Sequence, residues 1–145
     1  MEEESVKAPS ESPLPGFPNC FVCGKHNPRG LKLNFSIHED GVRASFIPDE
    51  TLVGYKNIVH GGIISALLDE AIIWASYMAT KRFGVTAELN VRFNKPLHVQ
   101  EACTVEGRMI ENKGKLWIVE GKIVDMHGNS YGKAIGKVIP FTEKQ

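Results

Sequence analysis

The chain has 145 residues and a mass of 16.0 kDa, and its 17 basic and 17 acidic side chains give no formal net charge. This length predicts one domain, and an apolar share of 42% with 23% charged residues can build a core, which excludes bulk disorder. Because there is no net basic charge, a nucleic-acid partner held through many phosphate contacts is not expected.

The three cysteines and the start of the chain argue against a secreted protein. Three cysteines do not make the dense, even-numbered framework of a small disulfide-rich domain. The opening residues MEEES lack the basic segment and apolar stretch of a leader, so we expect a cytoplasmic protein. The long apolar stretch 63–79 contains Asp69 and Glu70, and a carboxylate at mid-membrane costs about 3 kcal/mol. It therefore predicts a buried helix, and no membrane partner is expected.

The chain begins with a segment that has no apolar periodicity. Residues 1–19 hold four of the eight prolines together with acidic and serine residues, which predicts a flexible tail before a domain over 20–145. From Leu31 to His38 apolar and polar residues alternate, which predicts a half-buried strand. A turn at 38–41 joins it to a second strand over 42–47, so the two form a hairpin.

A helix is predicted over 61–80, with a length of about 30 Å. It is apolar on nearly every side except for one polar stripe, in which Ser65, Asp69 and Ser76 lie within about 40° of one another. Glu70 points about 100° away from Asp69. A helix of this kind must be enclosed by other structure.

Four further strands are predicted after the helix, joined by turns that make the sheet antiparallel. They cover residues 85–93, 102–110, 116–124 and 131–139. The sequence therefore predicts an α+β fold in which a curled antiparallel sheet of five to six strands wraps one long central helix. Because one sheet covers only one side of the helix, we expect a second subunit on the other side.

Two features of the helix suggest chemistry. His60-Gly61-Gly62 leads directly into the helix, where small residues let a ligand approach the first free N–H groups, although a tight turn alone would also explain the motif. Asp69 is a carboxylate in an apolar helix, and burial would raise its pKa toward the range of a general base. A hydrogen bond from Ser65 to Asp69, or a position of Asp69 facing water at a subunit interface, would explain this carboxylate without a catalytic role.

Together these pieces resemble the hotdog-fold thioesterase superfamily, in its PaaI-like group with an HGG motif. The resemblance rests on His60-Gly61-Gly62, then Leu68-Asp69-Glu70-Ala71, then Gly84-Val85-Thr86 and Asn94-Lys95-Pro96. It implies a homodimer or homotetramer with one sheet across two subunits, and hydrolysis of acyl-CoA thioesters without a cofactor.

The resemblance also implies roles for particular residues. Asp69 falls at the catalytic carboxylate, Gly61 at the backbone N–H that polarises the thioester carbonyl, and Thr86 near the hydroxyl that orients water. His60, Gly62 and Asn57 would contact the substrate. Some members use an asparagine where this chain has Gly54, and Asn57 is the nearest substitute.

The spacing of Gly61 and Asp69 has its own consequence. They are eight residues apart, which is about 12 Å along one helix, so both cannot contact one carbonyl from the same subunit. If both act, the site must combine Gly61 of one subunit with Asp69 of the other. Asp69 would act as a general base on water or attack directly.

Cys20-x-x-Cys23-Gly24, followed by His26, has the spacing of half a zinc site. Zinc requires four ligands, and Cys103 is the one cysteine left, far along the chain. We therefore expect no metal and interpret the segment as a packed turn, with a redox pair as the other alternative.

Several other residues have two interpretations. Trp74, Tyr77 and Met78 are predicted core residues, one of which could line an acyl channel. Arg92, Lys95, Lys113 and Lys115 could hold CoA phosphates or be solvated strand charges.

The same fold offers two alternatives to an acyl-CoA thioesterase. One is a non-catalytic acyl-CoA-binding sensor or carrier, and the other is a dehydratase. The acyl group is not specified by the sequence.

Overall fold

The structure is a computed structural model that describes residues 17–142. Most of the predicted tail, residues 1–16, lies outside the described residues. The described part forms one long helix, α1 (Gly61–Thr80), a short 3-10 turn (Glu50–Leu52) and eight strands. The strands are β1 (Ser36–His38), β2 (Gly41–Phe46), β3 (Val53–Tyr55), β4 (Ile58–Val59), β5 (Gly84–Phe93), β6 (Cys103–Asn112), β7 (Trp117–Val124) and β8 (Ser130–Pro140).

Six strands form one antiparallel sheet in the order β1-β2-β6-β7-β8-β5. The other two, β3 and β4, form a small antiparallel pair just before α1. The helix contacts five strands of the large sheet, β2, β5, β6, β7 and β8. The predicted α+β hotdog architecture is thus confirmed.

A row of small residues lets the helix lie close to the sheet. Gly107 on β6 is paired with Gly121 on β7, and Gly121 is paired with Ala134 on β8. A Cβ atom on Gly107 would lie 2.4 Å from the carbonyl oxygen of Ala71, which no real contact allows. The helix backbone therefore rests on the sheet at Gly107, and larger residues beside the row fill the core.

The sheet covers one side of α1. The buried helix residues include Leu67, Leu68, Ala71 and Ile72, all 0% exposed. The other side, which includes Ala66, Asp69, Ile73 and Tyr77, keeps partial exposure. Among the described residues α1 is the one helix long and apolar enough to cross a membrane by length and composition, a test that core helices of soluble proteins also meet. Here its apolar residues form the centre of the core.

The predicted first strand is largely wrong. Leu33 and Phe35 are buried as expected, but regular strand begins only at Ser36, and Ile37 is 57% exposed. The reason is that Lys32 has a left-handed φ of 57°, and that Leu31 and Leu33 donate their backbone N–H groups to the 17–24 segment. The chain here packs on its own N-terminal segment instead of extending the sheet. The β3–β4 pair was missed because each strand is too short to show alternation.

A bulge in β5 changes which face Thr86 occupies. The alternation predicts Thr86 on the face opposite Leu89, but Thr86 is paired with Val138 while the next pair joins Glu88 to Lys137, which leaves Ala87 unpaired. Both Thr86 and Leu89 therefore point to the face that carries α1.

Candidate active site

His60 caps the start of α1. Its Nδ1 accepts a hydrogen bond from the backbone N–H of Gly62 at 2.8 Å, the place usually taken by a serine, threonine or aspartate oxygen. A Cβ atom at position 62 would lie 3.0 Å from Nδ1, so glycine there leaves room for the ring. This capping bond gives His60 a structural role in shaping the loop.

The backbone N–H of Gly61 is free within the described part of the chain. It lies at the positive end of the helix dipole, next to a cavity of about 390 Å³ whose walls include Gly61, Phe93 and Lys95. A Cβ at position 61 would contact only the Phe93 ring, at 3.5 Å. The helix start thus presents an unused donor to a space of ligand size.

Asp69 lies two turns further along α1, on the side that the sheet leaves partly exposed. The hydroxyl of Thr86 on β5 donates a hydrogen bond to Asp69 Oδ1 at 2.6 Å. Asp69 Oδ2 has no hydrogen bond within residues 17–142. One carboxylate oxygen is therefore held in place while the other is available.

The two serines of the polar stripe do not bind Asp69. Ser65 donates its hydroxyl to the carbonyl of Gly61, and Ser76 donates to the carbonyl of Ile72, each within its own helix turn. The structure thus brings Asp69 together with Thr86, a partner 17 residues away on a strand.

Five of the six predicted site residues form two groups in one chain. His60, Gly61 and Gly62 lie at the helix start, and Asp69 with Thr86 lies about 12 Å along the axis. Asn57 is in the exposed turn between β3 and β4, with a left-handed φ of 66°. Gly54 lies against His60, because a Cβ there would be 3.0 Å from the Cα of His60. An asparagine at position 54 would therefore crowd the capping histidine.

The candidate phosphate-binding lysines and arginine differ in their surroundings. Lys95 is paired with Asp125 at 2.8 Å and lies over the Tyr131 ring, and this pairing holds the pKa of Asp125 well below its usual range. Arg92, Lys113 and Lys115 are exposed.

The structure also joins residues that the sequence left apart. Cys20, Cys23 and Glu70 lie together, and the indole N–H of Trp74 donates to Glu70 Oε2 at 3.1 Å. Trp74 is a core residue, 2% exposed, as expected. Cys103 is buried in β6, and burial raises the pKa of its thiol to about 12. The Glu70 partner was missed because its meeting with the cysteines depends on how the 17–24 segment folds back.

Solved structures share this fold. The protein RHA08564, a thioesterase superfamily protein, superposes with a TM-score of 0.78 at 22% identity over 84% of this chain and 63% of that one. The PaaI protein of E. coli gives 0.71 at 16% identity over 77% and 81%. The Streptococcus mutans protein smu.793, bound to acetyl CoA, gives 0.69 at 17% identity over 75% and 88%. At these identities the likeness shows the fold alone.

Sequence comparisons identify the family of the chain. A protein of Saccharolobus solfataricus that bears the name "Putative esterase SSO1253" is 33% identical over 102 residues, which are 70% of this chain and 67% of that protein. The family model of the thioesterase superfamily matches residues 56–130, just over half of the chain, from the turn before α1 to the start of β8. The chain belongs to the thioesterase superfamily.

Proposed function

We propose that this protein is an acyl-CoA thioesterase, which hydrolyses an acyl-CoA thioester to a free acid and CoA. Family membership and the esterase name of the archaeal relative support hydrolysis. The acetyl CoA bound to the Streptococcus mutans protein of the same fold supports an acyl-CoA substrate. The observation that carries the proposal is the 2.6 Å hydrogen bond from Thr86 to Asp69, with the second carboxylate oxygen left available.

The chemistry begins with the thioester carbonyl against the N–H of Gly61. A water molecule gives its proton to Asp69 and attacks the carbonyl carbon, and the resulting oxyanion is held by the Gly61 N–H and the helix dipole. Collapse of this intermediate breaks the C–S bond, and the departing CoA sulfur takes up the proton. In the other route Asp69 attacks the carbonyl carbon, the C–S bond breaks, and CoA leaves as a thiolate with Asp69 acylated as an anhydride. Water then hydrolyses the anhydride to the free acid and the Asp69 carboxylate, and the proton released by the water neutralises the thiolate. Thr86 orients the carboxylate in both routes.

The proposal includes a dimer with shared active sites. Gly61 and Asp69 are about 12 Å apart on α1, so a single carbonyl must use Gly61 of one subunit and Asp69 of the other. The ten-residue strand β5, at the edge of the sheet, has one side unpaired among the described strands. A long free edge favours pairing with a second copy, which would place the partly exposed side of α1 at the interface.

Thiol release from a panel of acyl-CoA thioesters tests the function. The panel should span short, long and aromatic acyl groups, with Asp69→Asn as the inactive reference and light scattering to give the oligomeric state. We expect turnover of at least one class of thioester. Tight binding of acyl-CoA without release of CoA would contradict hydrolysis and favour a sensor or carrier.

A further inference from the structure

A second cluster of reactive side chains lies outside the proposed thioesterase site. The ligand atoms of Cys20, Cys23 and Glu70, here called the Cys-Cys-Glu cluster, all lie within 4.8 Å of one another, and each residue is half-buried. Glu70 follows Asp69 directly but points about 100° away around the helix. The mechanism proposed above uses none of these three residues.

The backbone of the 20–24 turn directs both sulfurs toward the helix. The N–H of Cys23 donates to Cys20 Sγ at 3.4 Å, and the N–H of Gly24 donates to the carbonyl of Cys20 at 2.9 Å. A Cβ at position 24 would lie 2.4 Å from the backbone nitrogen of Cys20, so the turn requires glycine. The N–H of Cys23 thus helps to hold Cys20 Sγ beside the helix, and a cysteine sulfur binds metals as the thiolate.

Glu70 is held in place by a neighbour. Trp74 donates its indole N–H to Oε2, so the carboxylate has a fixed orientation, as metal-binding carboxylates usually do. The distance from Cys20 Sγ to Glu70 Oε2 is 3.6 Å. Sulfur and oxygen ligands of one tetrahedral zinc ion would be about 3.5 Å apart, given bond lengths of about 2.3 and 2.0 Å. Only small movements would therefore close the cluster around an ion.

The charges of the cluster favour a cation. The Glu70 carboxylate lies beside two cysteine sulfurs, and the three ligand atoms are within 4.8 Å of one another. A divalent ion that binds such a set replaces the thiol protons.

The number and type of ligands favour zinc. Two thiolates suit a soft or borderline ion better than Mg²⁺ or Ca²⁺. Zinc sites with three protein ligands keep a fourth position for water or another ligand. All three residues line one cavity of about 700 Å³, whose other walls include Ile73 and Phe83.

We propose that the Cys-Cys-Glu cluster binds one zinc ion per chain, through Cys20 Sγ, Cys23 Sγ and the Glu70 carboxylate, with the fourth position open to this cavity. The ion fixes the 17–24 segment to the middle of α1. Because binding displaces thiol protons, zinc affinity rises with pH. The expectation of no metal considered Cys20, Cys23, His26 and the distant Cys103, and it did not include Glu70.

Cobalt titration of the reduced, chelator-treated full chain tests the site. We expect thiolate-to-cobalt absorption that saturates at one Co²⁺ per chain and disappears on addition of Zn²⁺. Cys20→Ser and Cys23→Ser should each lower the affinity by at least about 100-fold, because loss of an outer partner alone costs about 10- to 100-fold. Glu70→Gln, whose amide oxygen can still accept the hydrogen bond from the Trp74 indole, should also weaken cobalt binding. Cys103→Ala, the matched control, should titrate like the wild type.

A measurement without substitutions keeps the test independent of variant folding. Zinc should protect Cys20 and Cys23 of the wild-type chain from alkylation, while leaving the labelling of Cys103 unchanged. No cobalt absorption in the wild type, or equal absorption in Cys20→Ser, would overturn the proposal. A mild oxidant that joins Cys20 to Cys23, in a chain that takes up no zinc, would instead identify a thiol redox pair. None of these readouts depends on thioesterase activity.

Discussion

Thr86 and Asp69 meet because of one unpaired residue in a strand. Ala87 forms the bulge in β5, and this turns the Thr86 hydroxyl toward α1. The short bond to Asp69 Oδ1 fixes one oxygen, and the other oxygen has no hydrogen bond within residues 17–142. This arrangement is the basis for the proposal that Asp69 acts as a positioned base or nucleophile.

We expect Asp69→Asn to lower thioesterase turnover at least about 100-fold, because a carboxamide neither accepts a proton nor attacks a carbonyl. The matched control is Glu88→Gln, which removes a carboxylate from β5, two residues after Thr86. Glu88 is exposed on β5 and is paired with Lys137 at the surface. Steady-state kinetics should show a normal rate for the control. Equal losses from the two changes would contradict the assignment of Asp69.

Thr86→Val should lower turnover about 10- to 100-fold, since a hydrogen bond to a charged group is worth about 1.5–3 kcal/mol. Valine keeps the shape of the side chain and removes only the hydroxyl that donates a hydrogen bond to Asp69. Thr86→Ser restores a hydroxyl and should recover most of the rate. A valine variant at the wild-type rate, or a serine variant as slow as the valine variant, would contradict the role given to the hydroxyl.

At this scale the sequence predicted some contacts and missed others. Asp69 and Gly61 stand out because a carboxylate and a glycine pair are unusual at the middle and start of an apolar helix. The resemblance gave Thr86 as the hydroxyl that orients water, but its hydrogen bond to Asp69 was not predicted, because the bulge that produces it leaves no trace in the alternation. The meeting of Glu70 with Cys20 and Cys23 required tertiary structure, because 50 residues separate Cys20 from Glu70.

At the scale of elements, α1 is fixed by the sheet on which it rests. The predicted helix bounds of 61–80 are confirmed, since a capping residue, an uninterrupted apolar run and a left-handed Lys81 mark its ends. The strand order was not predictable from the hairpin turns. After the helix, β5 pairs with β8 rather than with the next strand, β6. This pairing closes the sheet around α1 and brings Thr86 to Asp69.

The close approach of helix and sheet predicts a strong effect at Gly107. Gly107→Ala places a Cβ 2.4 Å from the carbonyl oxygen of Ala71, so the helix backbone must move. We expect a loss of about 2–3 kcal/mol in the free energy of unfolding, as for other overpacked cores. Gly132→Ala is the matched control, because its Cβ would lie 3.3 Å from the nearest atom, the carbonyl oxygen of Arg92. Denaturant unfolding should show the larger loss of unfolding free energy for Gly107→Ala. Equal losses for the two variants would contradict a close contact between the helix backbone and Gly107.

At the scale of the whole molecule, the two groups of the proposed site lie apart in one chain. The donor N–H of Gly61 and the Asp69–Thr86 pair are separated by about 12 Å of helix. Among the described strands, β5 leaves one edge unpaired, and we propose that this edge and the uncovered side of α1 are the surface for a second copy. A two-fold dimer would then hold two sites, each combining the Gly61 of one subunit with the Asp69 of the other.

Mixing two inactive variants should therefore restore activity. Gly61→Pro removes the donor N–H, and proline is well tolerated at the first position of a helix. His60 has φ −58° and ψ 136°, the extended conformation that a residue before proline adopts, so this variant should fold. In a heterodimer with Asp69→Ala, one site combines an intact Gly61 with an intact Asp69, while the other site carries both defects. We expect about half of the wild-type activity per heterodimer, measured by thiol release after subunit exchange.

The matched control mixes Asp69→Ala with Thr86→Val. Asp69 and Thr86 contact each other within one chain, so neither site of this heterodimer regains an intact pair, and activity should stay at the level of the parents. Mass spectrometry of differently tagged subunits must show exchange in both mixtures. If the Gly61→Pro and Asp69→Ala mixture exchanges subunits and still remains as inactive as its parents, the two groups do not act on one shared carbonyl. The donor to the thioester would then have to be sought within reach of Asp69 in the same subunit.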